Sequence, residues 1–301
     1  MHSIKTTQTF WSARLHRIAK RVALKSNDIE RAVKWHVLGG RKKFSRNASD
    51  ILRAHKWCFI VGCNNSGTSL LQDILDSSGL ISTFPHEGQR YTSVLARAAR
   101  RGHERVWSEF IHDLRLTAAD SLANVPRLLH DWMAELSPPI KEIILEKTTA
   151  NAVRLKWLQE VFPQSYFIGL VRNGYAVTEG ISRKGGKSVE RGARHWNLTN
   201  KIMLEDAKDV EHFLEIRYED LVEKPLDVVQ QVAELIGLDY EDLSQGIARQ
   251  YSLDAIVDPL MKDIRNYNAE SIARLTRDEV SNIYNEAAEM LDYFGYEANV
   301  A

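Results

Sequence analysis

Five short apolar runs punctuate the chain after residue 55: WCFIVG at 57–62, LISTF at 80–84, EIILE at 142–146, YFIGLV at 166–171 and HFLEIR at 212–217. Each is continuous rather than alternating, as in strands covered on both faces, and LISTF is the weakest of them. Stretches with helical spacing fill the intervals at 68–78, about 90–135, 151–161, 174–183, 189–208 and 225–236. A final amphipathic helix is predicted over 271–292, with Ile272, Leu275, Val280, Ile283, Tyr284, Ala287 and Leu291 on its apolar face. This alternation predicts an α/β fold, a doubly wound parallel sheet of four to five strands with right-handed crossovers. One domain over 55–295 suffices, with helical insertions and a short tail at 296–301. The long insertion between the second and third strands is placed to form a lid or a substrate wall.

Charge changes the picture at the N-terminus. Net charge is zero over 301 residues, yet residues 1–56 hold 14 Lys and Arg against Asp28, Glu30 and Asp50. The leader, taken as 1–54, is therefore strongly basic and the body acidic. Phe10, Trp11, Leu15, Ile18, Ala19 and Val22 fall near helical spacing among these cations. Two readings stay open: a basic amphipathic helix touching an anionic membrane or another acidic surface, or a solvated helix packed on its own acidic body. The second is the plainer. Nucleic acid is not an expected partner, because no recognised binding motif accompanies the charge. Two cysteines, Cys58 and Cys63, form no disulfide framework and sit in no zinc-spaced cluster. No run approaches the roughly 20 apolar residues of a membrane helix, and the first 30 residues lack a secretory apolar core. The expected location is cytoplasmic, with peripheral membrane contact through the leader as the variant.

The chemistry concentrates where Phe59–Val61 runs into Gly62-Cys63-Asn64-Asn65-Ser66-Gly67-Thr68-Ser69. Strand, glycine-bounded loop and helix follow one another, and Gly62 to Gly67 has P-loop spacing. The sheet is therefore P-loop-like. Thr68 stands where the P-loop lysine would be, so a nucleoside triphosphate is a poor fit and a P-loop kinase or ATPase is disfavoured. Loop amides with the Ser66, Thr68 and Ser69 hydroxyls can still wrap one phosphate at a helix N-terminus. Ligands of such sheets lie beyond the carboxyl ends of the strands. Polar groups collect at each of those ends: His86-Glu87, Glu146-Lys147-Thr148-Thr149, Arg172-Asn173-Gly174 and Tyr218-Glu219-Asp220.

The loop, Glu146-Lys147-Thr148 with Asn151-Arg154-Leu155-Trp157-Leu158, Phe162-Pro163, Phe167–Gly174 and Arg217-Tyr218-Glu219-Asp220-Leu221 together resemble the sulfotransferases. The likeness covers about residues 55–295 and is nearest to the bacterial branch, related to the tyrosylprotein sulfotransferases. It implies a donor, 3′-phosphoadenosine 5′-phosphosulfate (PAPS), no metal, and a hydroxyl acceptor: a carbohydrate, a glycolipid, a protein tyrosine or a small metabolite. Asn65, Ser66, Gly67, Thr68 and Ser69 would face the 5′-phosphate. Arg172 would hold the 3′-phosphate, where a guanidinium fork suits bidentate contact. Glu87 would be the general base, with His86 as the alternative, and Lys147 would neutralise the leaving oxygen. Tyr218 would lie near the nucleotide or anchor the last strand, while Trp157 and Trp196 are read as packing. Two positions depart from the pattern. Relatives carry Lys or Arg where this chain has Asn65, and a serine eight residues after the arginine where it has Gly180, leaving Ser182 or Lys184 as substitutes. The departures keep a second reading in view, a nucleotide-binding relative that has lost activity.

Overall fold

The computed structural model describes residues 29–97, 102–116, 124–251 and 264–298. The apolar set Phe10 to Val22 lies outside the described residues. Five parallel strands form one sheet: β1 (Lys56–Gly62), β2 (Ile81–Thr83), β3 (Ile143–Lys147), β4 (Ser165–Val171) and β5 (Phe213–Arg217), in the order β2-β3-β1-β4-β5. β1 is central, flanked by β3 (Phe59 beside Glu146) and β4 (Phe59 beside Phe167). The strand order reverses direction around β1, which places a crevice at its carboxyl end.

Strand alternation divides the core into two layers. Trp57, Phe59 and Val61 of β1 face an aromatic layer that includes Trp132, Phe162 and Phe167. Trp57 and Phe162 ring centroids are 4.7 Å apart, and Phe59 stacks on Phe167 at 5.6 Å. Cys58 and Ile60 face an aliphatic layer built with Leu71, Ile74, Val228, Val232 and Leu243. Burial pushes the Cys58 thiol up to about 12, so it behaves as a small apolar residue.

The helices are α1 (Gly40–Ala54), α2 (Thr68–Ser77), α3 (Val125–Met133), α4 (Leu155–Val161), α5 (Gly174–Gly185), α6 (Val189–Ala207), α7 (Tyr218–Glu223), α8 (Pro225–Ile236), α9 (Tyr240–Ile247), α10 (Asn268–Ile272) and α11 (Arg277–Phe294). Phe44, Ala48, Ile51 and Leu52 of α1 pack against the aromatic layer, so this part of the leader sits on the domain's own core. α11 begins with a capping box, Thr276 and Glu279 bonding each other's backbone. No described helix is long and apolar enough to cross a membrane.

Two helical expectations are corrected. The stretch 271–292 is not one helix: α10 ends at Ile272, α11 starts at Arg277 behind its Thr276 cap, and Tyr284 is exposed. The interval 90–135 is not a continuous helix. Its described residues hold single 3₁₀ turns at Gly88–Arg90 and Trp107–Phe110, one short turn at Ile111–Leu114, and α3. Gly102 at φ 78° interrupts the chain, and Pro126 opens α3 in its first turn. Leu95, Val106, Trp107 and Leu114 of this interval are buried in the aromatic layer and pin its short turns and irregular backbone to the core.

Candidate functional site

The loop after β1 is shaped by its own backbone. Asn65 adopts φ 65°, a left-handed conformation that asparagine tolerates better than most side chains. Gly67 adopts φ 97°, and a Cβ there would lie 2.6 Å from Cδ2 of Tyr218. α2 starts with Gly67 at its N-cap, so no side chain caps its first amides. An uncapped helix N-terminus offers free N–H donors and a positive dipole end to an anion.

Arg172, at the end of β4, stands beside this loop. Its Nη1 donates to the Asn65 carbonyl (3.0 Å) and its Nε to Oδ1 of Asn268 (2.7 Å). The guanidinium lies 4.2 Å from the centroid of the Tyr218 ring. The Tyr218 hydroxyl donates to the Arg265 carbonyl, so this tyrosine braces Gly67, Arg172 and the 265–267 segment together. Burial lowers the Arg172 pKa, opposed by Tyr218 and Glu219. Asn173 caps α5 by accepting from the amides of Tyr175 and Ala176.

Three buried polar groups around the loop have no hydrogen-bond partner among the described residues: Asn65 Nδ2, Ser66 Oγ and Arg172 Nη2. Buried polar groups are ordinarily paired, so their convergence on one loop makes it the candidate ligand site. A cavity of about 260 Å³ opens there, lined by Asn65, Arg172, Gly180, Arg183, Lys184 and Arg274 among others. Gly180, Arg183 and Lys184 share one face of α5 at i, i+3 and i+4. Ser182 falls on another face and is not among the lining residues. A Cβ on Gly180 would lie 3.2 Å from Asn65 Nδ2, so the two departures noted in the sequence are neighbours. Lys184 has its pKa lowered, first by burial and then by Arg105, Arg183 and Arg172.

Glu87 and Lys147 meet at the carboxyl end of β3. Lys147 Nζ is 3.9 Å from Oε1 of Glu87, and both side chains are largely buried. Gln89 Nε2 donates to Oε2 of Glu87 at 2.8 Å. The turn carrying Glu87 is held from below by Glu146, which has no solvent exposure. Glu146 Oε1 accepts from the Gly88 amide (2.6 Å) and from the Thr148 hydroxyl, and its Oε2 accepts from Asn151 Nδ2 (2.7 Å). Asn151 in turn accepts from the buried Arg154, whose other nitrogens reach the carbonyls of Leu114 and Ala96. Trp132 Nε1 completes the turn by donating to the Gly88 carbonyl. Burial raises the Glu146 pKa to about 7, against the opposing hydrogen bonds from Thr148 and Gly88.

Sequence reasoning missed the polar clasp over the loop tip. His195 Nε2 meets Asn64 Oδ1 at 3.1 Å, and its Nδ1 meets the Ser108 hydroxyl at 2.8 Å. An amide oxygen accepts only, so Nε2 carries the proton and Nδ1 accepts. Burial lowers the His195 pKa to about 3, which keeps the ring neutral. Asn64 Nδ2 donates to the Glu104 carbonyl and Arg105 Nη1 to Asn65 Oδ1. The sequence signal was faint: His195 is 131 residues from Asn64 and sits inside an ordinary helix. Among the described residues no group of three or more His, Cys, Asp or Glu could hold a metal ion.

Comparison with known proteins bears on this geometry. The Sulfotransferase family model matches residues 58–242. Two curated relatives are the omega-hydroxy-beta-dihydromenaquinone-9 sulfotransferases Stf3 of Mycobacterium bovis and Mycobacterium tuberculosis. Each is 24% identical over 195 residues, 57% of this chain and 48% of the relative. The chain thus spans about half the length of the curated relatives it matches. The fold is shared with the sulfotransferase domain of the Synechococcus PCC 7002 olefin synthase, at TM-score 0.52 and 20% identity over 81% of this chain and 96% of that one. It is also shared with sulfotransferase STF9 of Mycobacterium avium, at TM-score 0.50 and 14% identity over 82% and 79%.

Proposed function

The chain belongs to the sulfotransferase family, and from that premise we propose that it moves the sulfuryl group of PAPS to a hydroxyl acceptor by in-line displacement. The observation that carries the reading is the set of buried, unpartnered groups Asn65 Nδ2, Ser66 Oγ and Arg172 Nη2 around an uncapped helix N-terminus. Such a set fits a phosphate-bearing ligand and leaves a packing role unsatisfied. The loop amides with Ser66, Thr68 and Ser69 receive the 5′-phosphate. Arg172 and Lys184, on the walls of the 260 Å³ cavity, receive the 3′-phosphate.

In the transfer step the acceptor oxygen forms a bond to sulfur while the bond from sulfur to the 5′-phosphate oxygen breaks. The electron pair leaves with that phosphate oxygen. Glu87 takes the acceptor proton, and Lys147 offsets the charge that develops on the leaving oxygen. Their 3.9 Å separation supports this division of roles, since a base and a cation must flank the same reacting centre. Glu146, buried beneath, orients the Glu87 turn. The acceptor is a hydroxyl, in line with the omega-hydroxy group in the name of the mycobacterial relatives.

Calorimetry with 3′-phosphoadenosine 5′-phosphate (PAP) and with ATP, followed by labelled-sulfate transfer over a panel of alcohols, phenols and sugars, tests the proposal. PAP binding without ATP binding, and transfer to at least one hydroxyl, is expected. Equal binding of ATP would restore a kinase-type reading, and PAP binding with no transfer to any acceptor would leave a nucleotide-binding protein.

A further inference from the structure

We propose that Arg105 is a phosphate-binding residue of this site, supplying the positive charge that the loop 62–69 lacks from the segment 102–110, here called the covering segment because Glu104 and Arg105 bond the loop tip; the inference rests on the sulfotransferase reading above. From Gly62 to Ser69 the loop contains neither Lys nor Arg. Its donors are amides and hydroxyls, which orient a phosphate but do not neutralise it. Arg105 lies 40 residues further along the chain, yet its Nη1 donates to Oδ1 of Asn65 at the loop tip (3.3 Å). The adjoining Glu104 carbonyl accepts from Asn64, so two successive residues of the covering segment are fastened to two successive residues of the loop.

The stem of Arg105 crosses the last turn of α5, where a Cβ on Gly185 would lie 2.7 Å from Arg105 Cδ. The absence of a side chain at Gly185 gives the arginine its route to the loop. Among the described residues the guanidinium meets no carboxylate; its one hydrogen-bond partner there is a neutral amide oxygen. Its charge is felt within the cavity, where after burial it is the first of three cations that lower the Lys184 pKa. Glu179, bridged to Arg183 at 2.6 Å, offsets part of this charge, and an entering anion would relieve the repulsion that remains. A 3.3 Å bond to an amide is long for a guanidinium and easily exchanged for a charge-assisted bond to phosphate. Asn65 Nδ2, buried and unpartnered beside it, is positioned to donate to the same anion.

Two ligands separate this role from a clasp that merely holds the cover in place. PAP carries both phosphates and adenosine 3′-phosphate lacks the one at the loop. Calorimetry on Arg105→Gln should show PAP weakened about ten- to hundred-fold, the worth of one charged hydrogen bond. Adenosine 3′-phosphate should weaken far less, by only what the Arg105 charge contributes near Lys184, and Arg105→Lys should keep most of the PAP affinity. Unchanged PAP affinity in Arg105→Gln, or equal weakening of both ligands, overturns the proposal. Wild-type protein that binds neither ligand overturns the sulfotransferase reading itself, and this proposal with it.

Discussion

Replacing Glu146 by glutamine should change how stability responds to pH, and the size of the change follows from burial. Glu146 is fully enclosed, and its pKa stands at about 7 in the fold against an ordinary value of 4.5. A pKa raised by folding means that the native chain holds this proton more tightly than the unfolded chain. The associated stability is fully present below pH 4.5 and is lost as pH rises through 7. A shift of about 2.5 units at about 1.36 kcal/mol each gives roughly 3 kcal/mol across that window. Glutamine does not titrate and lacks this slope. It carries a separate cost that does not vary with pH. The Asn151 side-chain amide, fixed because its oxygen accepts from Arg154, would face the glutamine NH₂ donor to donor. A buried mismatch of this kind costs about 1–3 kcal/mol. Urea unfolding of both proteins at pH 5, 6, 7 and 8 is the assay, with the titrating groups that do not couple to Glu146 cancelling in the difference. The variant should be the less stable at pH 5, and the gap should narrow or reverse by pH 8. Parallel profiles would refute the assignment of a raised pKa to Glu146.

Lys147→Ala should lower kcat steeply while leaving PAP affinity within a few-fold of wild type; equal losses in both would remove its transition-state role. Arg172→Ala should weaken PAP by more than it weakens adenosine 5′-phosphate, measured by calorimetry, and equal weakening would show that Arg172 does not read the 3′-phosphate. Gly67→Ala should combine backbone strain at φ 97° with a collision at Tyr218, costing about 1–3 kcal/mol. Its thermal midpoint and PAP affinity should fall together, and normal values for both would contradict the described loop geometry.

Much of this architecture was legible because strands covered on both faces are written as continuous apolar runs. The five runs match β1 to β5 within one or two residues at each end, including the weak one at Ile81–Thr83. The loop 62–69 was legible because strand, glycine spacing and helix are local in sequence. α7 was not, since Tyr218 begins it directly after Arg217 with no turn residue between them. Glu146 stood out in the sequence as part of a motif, but its function as the support of the Glu87 turn depends on Gly88, 58 residues away. Arg105 and His195 carried at most a faint local signal. Their partners are set by how the covering segment and α6 settle on the loop, which no period in the sequence encodes.

Asn65 and Gly180 looked in the sequence like two separate losses of anion-binding groups, and their contact makes them one feature. Any side chain at 180 begins 3.2 Å from the Asn65 amide, and the left-handed backbone at 65 favours a short polar residue over a long cation. Arg105, passing over Gly185, meets the oxygen of the same Asn65 side chain. A cation built into the loop would be present whatever the covering segment did. Arg105, carried on that segment together with the Glu104 carbonyl that grips Asn64, reaches the loop only when the segment is seated. Under the proposed role of Arg105, charge for the donor phosphate and seating of the segment over the loop depend on the same few residues. Loosening the Asn64–Glu104–His195 clasp should thus weaken anion binding even though none of the three carries a charge to the phosphate.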